Sequence, residues 1–543
     1  MTLQALRTIS KRKDTGLTSN TLLSSNTMFS SNTLHSSSTA EKQDCASGRK
    51  LSRRDLCRGM LATAATLSIV PRTVLAGSGQ KPPSEKINVA VIGTGCQGMR
   101  HVQALLARQP DAQVVAVCDV NRTGSDYFDL KGGVAGLEPA RRMVESHYAQ
   151  QQRSGTYNGC AAYRDFRELF DAETDIDAVV VATPDHTHAV IAMQAIRRGK
   201  HVYCEKPLTH SIDEARQLSE AARAAGVATQ MGNQLHALET VRRQVELIKS
   251  GVIGQVRRVH AWCGDTGWYG PWSAVRQQRW SALGPAWAAG PDRPQDTPPV
   301  PDGLDWDLWL GPAAHRPYHP AYVPFKWRGW WDFGSGTLGD MGCHILDPVF
   351  WALDLNAPVT VAASSSRVTA ETAPVAATVR YAFPARDDLP PLDLIWYEGG
   401  LQPDRPRELD EGSDLPPFGL LYIGDDGKLL APYFGTPTLL PESLGDDTQL
   451  SEPFLPRVDL QTEGPNPLSL AHHHREWLDA CQGGPTALSN FSYAGPLTEA
   501  VQLGTIAIRT GKKLVWDAPN MNVTNAAGAN EYVRPQYREG WAL

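Results

Sequence analysis

The chain has 543 residues, which is more than one ordinary domain holds, and its 41% hydrophobic residues suffice for sizeable cores. The formal net charge of −6 is unevenly spread, because residues 1–76 carry 11 Lys and Arg against 4 Asp and Glu, which leaves −13 for the remainder. An acidic body of this kind argues against a protein that binds nucleic acid.

The N-terminal residues carry processing signals rather than a fold. Residues 15–40 are rich in Ser, Thr and Asn and form a low-complexity tract. An Arg pair at 53–54, a mildly apolar run at 60–70 and a small-x-Ala site at 74–76 follow it. This combination resembles a twin-arginine export signal that is cleaved before Gly77.

The export signal predicts that the twin-arginine machinery carries the protein to a periplasmic or other extracytoplasmic location. The apolar run is too short to span a bilayer, and no later segment approaches the required length. We therefore assign residues 1–76 to a low-complexity extension and a signal peptide, and we expect no membrane span in the mature chain.

The stretch between residues 86 and 119 carries the clearest functional pattern. The β-branched run Ile87–Ile92 predicts a buried strand, and Gly-Thr-Gly-Cys-Gln-Gly at 93–98 follows it directly and fits G-x-G-x-x-G. A helical pattern and a second apolar strand, Val114–Cys118, then lead to Asp119. Strand, glycines, helix, strand and acid in this order predict a dinucleotide-binding site.

Each residue of this motif has a physical role. Gly93 permits the tight turn, Gly95 lets the backbone approach a pyrophosphate, and Gly98 lets the helix pack closely on the strand. Asp119 lies 24 residues after Gly95, near the spacing typical of a carboxylate that binds ribose hydroxyls. The acid favours NAD, although Arg122 nearby leaves NADP open. The cofactor contacts predicted from the motif are Gly93, Thr94, Gly95, Gln97, Gly98 and Asp119.

Further apolar runs at 178–182, 202–204 and 227–231 predict more parallel strands, each ending in polar residues. In a doubly wound α/β sheet, ligands bind beyond the carboxyl ends of the strands. We therefore predict a Rossmann domain over residues 84–233. The additional cofactor contacts predicted at these strand ends are Thr183, Pro184, His188, Glu205, Lys206 and Asn233.

The pattern changes after residue 233. Turn-rich segments separate a series of short strand candidates, a spacing that predicts an α+β domain with a large, mostly antiparallel sheet over residues 234–517. We expect a last helix, Pro496–Arg509, to pack back on the first domain, and residues 518–543 to form a tail. The strand candidates lie at 256–262, 359–363, 378–383, 392–396 and 420–423.

Asp340 and His344 are four residues apart, so on a helix both side chains lie on one face and point into the same cleft. A histidine suits acid–base work because its proton moves near neutral pH. Taken alone, an Asp-x-x-x-His pair is a weak signal that also fits a structural capping pair.

Three segments together resemble the Gfo/Idh/MocA family of NAD(P)-dependent oxidoreductases: the glycine motif, TPDHTH at 183–188 and CEKPL at 204–208. The resemblance implies that Lys206 lies beside the nicotinamide and the reacting carbon, where Glu205 can orient it. It also implies that Asp340-x-Gly-x-His344 is catalytic, with His344 as general acid and base and Asp340 positioning His344. The catalytic residues predicted are Lys206, Asp340 and His344.

Eleven of the 15 tryptophans lie between residues 262 and 351. Apolar sugar faces stack on aromatic rings, so a cleft lined by Trp would suit a carbohydrate. Most of these rings fill a core, and we expect only one or two of three candidates to reach the substrate. The substrate contacts predicted are Trp268, Trp330, Trp331, Arg328 and Asp347.

The pattern and the resemblance together predict an exported oxidoreductase. It transfers a hydride between nicotinamide and a hydroxyl-bearing carbon of a sugar, cyclitol or polyol, and it holds its NAD tightly because free nucleotide is scarce outside the cytoplasm. Two alternatives stay open: a glycosidase of the same family that recycles a bound NAD, and a non-catalytic protein on the same fold. Relatives suggest a homo-oligomer. No metal site is predicted, since the consecutive histidines at 472–474 cannot face one another on a helix.

Overall fold

The computed structural model describes residues 85–543 except 126, 128–132, 265–291, 445–451 and 458–467. The predicted export signal and Trp268 therefore lie outside the described residues. Among the described residues, no helix combines the length and the hydropathy that a membrane span requires.

The first sheet has six strands, all parallel, as predicted. The strands are β1 (Ile87–Ile92), β2 (Ala112–Cys118), β3 (Ala161–Tyr163), β4 (Ala178–Val181), β5 (His201–Cys204) and β6 (Thr229–Met231). Their order is β3-β2-β1-β4-β5-β6. The chain changes direction across the sheet between β1 and β4, and this switch point is where doubly wound sheets bind ligands.

Helices cover both faces of the first sheet. The helices are α1 (Cys96–Arg108), α2 (Leu137–Ala149), α3 (Phe166–Ala172), α4 (Asp185–Arg197) and α5 (Ile212–Ala225). Alternate residues of β1 divide between the faces: Val89 and Val91 pack with α1 and α2, whereas Ala90 and Ile92 pack with α3, α4 and α5. The continuous apolar strand follows from this two-sided burial.

The second sheet has nine strands, and each neighbouring pair is antiparallel except β7 and β10. Its order is β13-β12-β11-β7-β10-β9-β8-β14-β15. The strands are β7 (Val256–Cys263), β8 (Thr360–Ser365), β9 (Ala377–Phe383), β10 (Leu392–Glu398), β11 (Phe418–Gly424), β12 (Lys428–Pro432), β13 (Thr438–Leu440), β14 (Leu514–Asp517) and β15 (Asn522–Val523). The predicted fold class, a Rossmann domain with a large and mostly antiparallel second sheet, is confirmed.

The remaining helices connect and cover the two sheets. They are α6 (Glu239–Lys249), α7 (Trp306–Leu310), α8 (Gly336–Ile345), α9 (Asp347–Leu353), α10 (Leu468–Cys481) and α11 (Phe491–Thr510), with 3-10 turns at Gln234–Ala237, Lys326–Gly329 and Ala527–Tyr532. Trp477 and Leu478 of α10 join the core beneath α1. Helix α11 packs on α5, where Arg216 Nε donates to Glu499 Oε2 at 2.8 Å.

Helix α11 begins five residues before the predicted start at Pro496. Asn490 Oδ1 accepts hydrogen bonds from Ser492 N and Tyr493 N and so caps the helix there, while Pro496 lies inside it. The cap decides the boundary because it satisfies N–H groups that the first turn leaves unpaired.

Candidate active site

A cavity of about 510 Å³ runs along the carboxyl ends of the first sheet. It is lined by Asp119 after β2, by Thr183 after β4 and by Lys206 after β5, and it reaches α8. We call the part formed by the glycine turn, Asp119 and Thr183 the cofactor half. The part formed by Lys206, Asp340 and His344 is the substrate half.

The glycine turn leaves no room for side chains. Gly93 has a φ of +84°, and a Cβ added there would lie 2.6 Å from Ala182 O. A Cβ on Gly98 would lie 1.8 Å from Gly93 O, so the absence of a side chain lets α1 pack on the turn. Gly95 lines the cavity at the N-terminus of α1, with no side-chain cap. This bare turn fits the pyrophosphate of a dinucleotide.

Asp119 is held in place at the end of β2. Its Oδ2 accepts from Thr94 N at 2.7 Å and from Thr94 Oγ1 at 3.2 Å, and its Oδ1 accepts from Asn121 N at 2.8 Å. Burial raises the pKa of Asp119, and these hydrogen bonds oppose the rise. Thr94 is fully buried and positions the carboxylate, whereas Asp119 itself lines the cavity, where ribose hydroxyls would bind.

Thr183 and Pro184 line the cavity beyond β4, but two other predicted cofactor residues do not. His188 lies beneath the strand ends, with its ring nitrogens 2.8 Å from Pro207 O and 2.9 Å from Thr183 O. Asn233 is fully buried, and its Oδ1 accepts from Ser489 Oγ at 2.5 Å. Both side chains thus join chain segments, and their contact with a cofactor stays a prediction.

Glu205 lies at the centre of a buried hydrogen-bonded chain. Its Oε1 accepts from Gln97 Nε2 at 2.9 Å and lies 2.8 Å from His101 Nε2, while His101 Nδ1 lies 2.8 Å from His474 Nε2. Burial alone would raise the pKa of Glu205, but the hydrogen bond and charge of His101 and the charge of Lys206 lower it to about 2. Glu205 is therefore an ionised carboxylate on the cavity wall.

Lys206 and Asp340 form an ion pair across the cavity. Lys206 Nζ donates to Asp340 Oδ1 at 2.6 Å and to Asp340 O at 3.1 Å. Burial opposes the charge of Lys206, yet the charges of Asp340 and Glu205 keep its pKa raised. Burial likewise opposes the charge of Asp340, but Lys206 and Arg328 hold the pKa of Asp340 well below its usual range. Both groups are charged at neutral pH.

The carboxylate of Asp340 contacts two cations. Its Oδ1 binds Lys206 Nζ and also lies 3.3 Å from Arg328 Nε, so it positions the lysine, and the positioning of His344 by Asp340 stays a prediction. His344 lines the cavity, and its buried Nδ1 has no hydrogen-bond partner among the described residues. Burial, with the charge of Lys206, lowers the pKa of His344 to about 3. The imidazole is therefore neutral and able to accept a proton.

Arg328 is the predicted substrate residue that the structure places in the cavity. Its guanidinium carbon lies 4.0 Å from the ring centroid of Phe325 and 4.2 Å from that of Trp327. These distances are typical of cation–π contacts with both aromatic rings. The cation is thereby fixed at the wall of the substrate half.

Trp330, Trp331 and Asp347 are buried and do not line the cavity, so their role as substrate contacts stays a prediction. Trp330 Nε1 donates to Ala321 O at 2.9 Å, and Trp331 Nε1 donates to Thr369 O at 3.2 Å. Asp347 Oδ2 lies 2.9 Å from Nδ1 of buried His236. Each polar atom thus has an interior partner, which is the usual condition for burying such a group.

Several lining residues escaped prediction because they lie far from any motif. Their rings come from five separate segments and are brought to the cavity by tertiary packing. No local pattern distinguishes them from core aromatics, and only the fold identifies them. The unpredicted aromatic lining residues are Tyr127, Phe166, Trp309, Tyr318, Phe325, Trp327, Tyr433, Phe434 and Trp541.

The histidines at 472–474 belong to α10 and not to a metal site. His473 Nδ1 lies 2.9 Å from Tyr203 Oη, and His474 contacts His101. Among the described residues, no group of three or more His, Cys, Asp or Glu side chains is arranged to hold a metal ion.

Two family models match the chain. Residues 87–233 match "Oxidoreductase family, NAD-binding Rossmann fold", and residues 285–385 match "Oxidoreductase family, C-terminal alpha/beta domain", both of the Gfo/Idh/MocA family. An inositol 2-dehydrogenase of Rubrobacter xylanophilus is 31% identical over 186 residues, which are 33% of this chain and 44% of that protein.

An inositol 2-dehydrogenase/D-chiro-inositol 3-dehydrogenase of Shouchella clausii is 35% identical over 140 residues, which are 26% of this chain and 33% of that protein. The matches thus span less than half the length of these relatives. A solved inositol dehydrogenase homologue of Azotobacter vinelandii, complexed with NADH and myo-inositol, is 17% identical and covers 80% of this chain and 98% of its own, with a TM-score of 0.47. Residues 87–233 and 285–385 are thus similar to the NAD-binding domain and the C-terminal domain of the Gfo/Idh/MocA oxidoreductase family.

Proposed function

We propose that this chain is an NAD-dependent oxidoreductase that transfers a hydride between nicotinamide and a hydroxyl-bearing carbon of a sugar, cyclitol or polyol. The observation that carries the proposal is the ion pair of Lys206 Nζ with Asp340 Oδ1, 2.6 Å long, in the same cavity as the bare glycine turn. One cavity thus contains a dinucleotide cradle and, beyond it, a cation next to a neutral histidine.

The residues of the substrate half divide the work of moving a proton. In the oxidation direction, His344 accepts the proton of the substrate hydroxyl, and it returns that proton in the reduction direction. The ammonium of Lys206 polarises the hydroxyl oxygen as the carbonyl forms. Asp340 keeps Lys206 charged and directed into the cavity, since it pairs with Nζ through both its carboxylate and its backbone oxygen.

NAD, when bound, accepts the hydride that leaves the carbinol carbon, so that C–H and O–H bonds break as C=O forms. Residues of the cofactor half would hold it: Gly95 at the pyrophosphate, Asp119 at the ribose hydroxyls and Thr183 along the wall. Arg122 does not line the cavity, and this favours NAD over NADP.

The substrate class follows from the lining of the substrate half. The guanidinium of Arg328 and the ammonium of Lys206 suit a ligand rich in hydroxyl oxygens, and the ring of Tyr433 offers an apolar surface for a sugar face. The similar proteins named inositol dehydrogenases support a cyclitol or a sugar as the first compounds to try.

Export and tight retention of NAD form a second part of the proposal. The Arg pair at 53–54 supports export by the twin-arginine route, which carries folded proteins. A protein that leaves the cytoplasm with its cofactor needs slow release of NAD. Fractionation of cells that express the full chain, with an Arg53→Lys and Arg54→Lys double variant as control, tests export: the double variant should stay in the cytoplasm.

A homo-oligomer is also proposed, because the second sheet exposes charged side chains on an extended surface. Arg258 donates to Asp393 Oδ2 at 3.2 Å on that surface, where Arg380 also lies 4.0 Å from Asp393. Light scattering of the purified protein measures its molecular mass directly. The mass of a monomer would refute the homo-oligomer and would leave the proposed catalytic activity unaffected.

The proposed activity is tested by identifying the nucleotide that the protein releases on denaturation, before and after incubation with free sugars, cyclitols and aryl glycosides. NAD converted into NADH by a free sugar or a cyclitol supports the oxidoreductase. If NAD stays oxidised while a glycoside is cleaved, the protein is a redox-recycling glycosidase and not a net oxidoreductase. Protein that neither carries nor binds a nucleotide refutes both.

A further inference from the structure

The C-terminal segment, residues 533–543, runs back from the second sheet to the first and is fastened there. Arg538 N donates to Pro312 O at 3.1 Å, and Arg538 Nη2 donates to Asp307 O at 2.6 Å. At the end of the chain, Arg197 Nη1 of α4 donates to Leu543 O at 3.0 Å. The segment is thus attached on both sides of Trp541.

Trp541 is the residue of this segment that lines the cavity. The centroid of its ring lies 6.1 Å from the ring centroid of Phe166. The guanidinium carbon of Arg167 lies 4.9 Å from the ring centroid of Trp541. Phe166 and Thr187 also line the cavity, and a Cβ added to Gly311 would lie 2.7 Å from Thr187 Cγ2 and 3.9 Å from Trp541 Cη2. The indole therefore forms an outer wall whose inner wall belongs to the first sheet.

The position of Trp541 in the sheet order identifies the end of the cavity that it covers. Phe166 follows β3 and Thr187 lies in the first turn of α4 after β4, and the ends of β2 and β1 lie between those two strands. Asp119, the predicted ribose ligand, ends β2. Trp541 thus lies near the part of the cofactor half where the adenosine would bind.

A second segment closes the other side of the same end. Gly303 O accepts from Arg122 N at 2.9 Å, and Asp305 N donates to Val120 O at 2.9 Å, so residues 301–305 pair with the backbone just after Asp119. Arg164 Nη2 donates to Gly303 O at 3.1 Å and reinforces the pairing. We call residues 301–305 the strap.

We propose that Trp541 and the strap enclose the adenine nucleotide portion of NAD and set its slow release. This inference rests on the proposed function, because it needs NAD in the cavity. A flat indole beside the base offers the stacking surface that nucleotides favour, and the fastening of residues 538 and 543 keeps that surface in place. The proposal adds a cofactor-binding residue that none of the motifs contains.

The test compares NAD release from the full-length holoprotein carrying Trp541→Ala, Trp541→Phe or no substitution, by chasing labelled NAD with unlabelled NAD. Trp541→Ala should raise the rate of NAD release by about 10- to 100-fold, which is the effect of removing one stacked ring. Trp541→Phe should release NAD at nearly the rate of the unsubstituted protein. Phe454→Ala is the matched control, because Phe454 is 53% exposed and does not line the cavity.

Fragments of the cofactor locate the effect. Trp541→Ala should weaken the binding of AMP and ADP-ribose and leave nicotinamide mononucleotide binding unchanged, since that fragment has no adenosine. Arg538→Ala, which loosens the segment and keeps the indole, should also speed NAD release and covers the case in which Trp541→Ala fails to fold. Unchanged NAD release in both variants, or equal weakening of every fragment, overturns the enclosure. A wild-type protein that binds no NAD overturns the proposed function as well.

Discussion

The cofactor half of the cavity is built from the glycine turn and the ends of parallel strands, whereas the substrate half combines Lys206, after strand β5, with side chains of helix α8. In the cofactor half, the backbone and the glycines of the turn, such as Gly93 and Gly98, determine the shape of the site. In the substrate half, Lys206 meets Asp340 from 134 residues away. The cofactor half therefore depends on local geometry and the substrate half on long-range packing, so substitutions can perturb one half at a time.

The largest effect is expected in the substrate half. Lys206→Met and His344→Asn each remove a group that acts on the substrate hydroxyl, and each should lower kcat by about 10²- to 10⁴-fold. NAD binding should change little, because neither substitution alters the glycine turn. Steady-state kinetics with titration of NAD separate the two effects, and a loss of NAD binding equal to the loss of kcat would contradict the division of the cavity.

Asp340→Asn should have the next largest effect, about 10- to 100-fold on kcat, by displacing the lysine rather than by removing a reacting group. The charge of Asp340 raises the pKa of Lys206 against the effect of burial. Its removal should therefore lower that pKa and move the alkaline limb of the pH–rate profile to lower pH. Asp171→Asn, at a side chain that is 74% exposed, is the control, and an unmoved limb in Asp340→Asn would refute the positioning role.

A substitution in the cofactor half should act on affinity alone. Gly98→Ala places a Cβ 1.8 Å from Gly93 O. Overpacking of this kind costs about 1–3 kcal/mol of folding stability. Because the turn must shift to admit the Cβ, NAD should bind about 10- to 100-fold more weakly, with kcat at saturating NAD nearly unchanged. Gly528→Ala serves as control because a Cβ there meets nothing within 4 Å. Calorimetric titration measures the NAD affinity of both variants. Equal affinity in Gly98→Ala and Gly528→Ala would contradict the role of the glycine turn in binding NAD.

The last effect falls outside both halves and concerns the acid stability of the aromatic packing behind the substrate half. His186 lies between Trp309 O and Phe333 O, at 3.1 and 3.3 Å from its ring nitrogens, and burial with the charge of His210 lowers its pKa to about 3 from 6.5. Between these values the unfolded chain binds the proton and the folded chain does not, so stability is lost as the pH falls from 6.5 towards 3.

His186→Gln should reduce that pH dependence by about 1.4 kcal/mol per pH unit, which is the contribution of one proton. Urea unfolding of the full chain at several pH values between about 4 and 6.5 gives the slope of the unfolding free energy. A variant with the slope of the wild type would show that His186 is protonated in the folded protein.

The same contrast explains how much the sequence could predict. The bounds of helix α5 are set by local signals that a sequence displays: Ser211 and Glu214 form a capping box, and Gly226 ends the helix with a φ of +63°. The glycine turn and the residues at strand ends follow from similarly local patterns. Strand β3 was missed because three half-buried residues, Ala161–Tyr163, carry too little periodicity to identify.

The partners of the substrate half could not be predicted, for a physical reason. The spacing of Asp340 and His344 correctly places both in the cavity, yet it cannot reveal that Lys206 and Arg328 take the carboxylate. Likewise, nothing near Trp330 shows that its indole binds Ala321 O in the interior, while Trp541 lines the cavity. Such outcomes depend on contacts between segments that are far apart in the chain.

The central claim, hydride transfer at the substrate half to a nicotinamide held by the cofactor half, is tested most directly with a substrate deuterated at the carbinol carbon. Protein loaded with NAD is mixed with the compound that reduces it, and the mass of the nicotinamide is measured after release. The account predicts that the nicotinamide gains one deuterium, transferred as deuteride, in the wild type and none in Lys206→Met, although that variant still holds NAD. Deuterium that appears in water instead, or equal transfer in Lys206→Met, would contradict it.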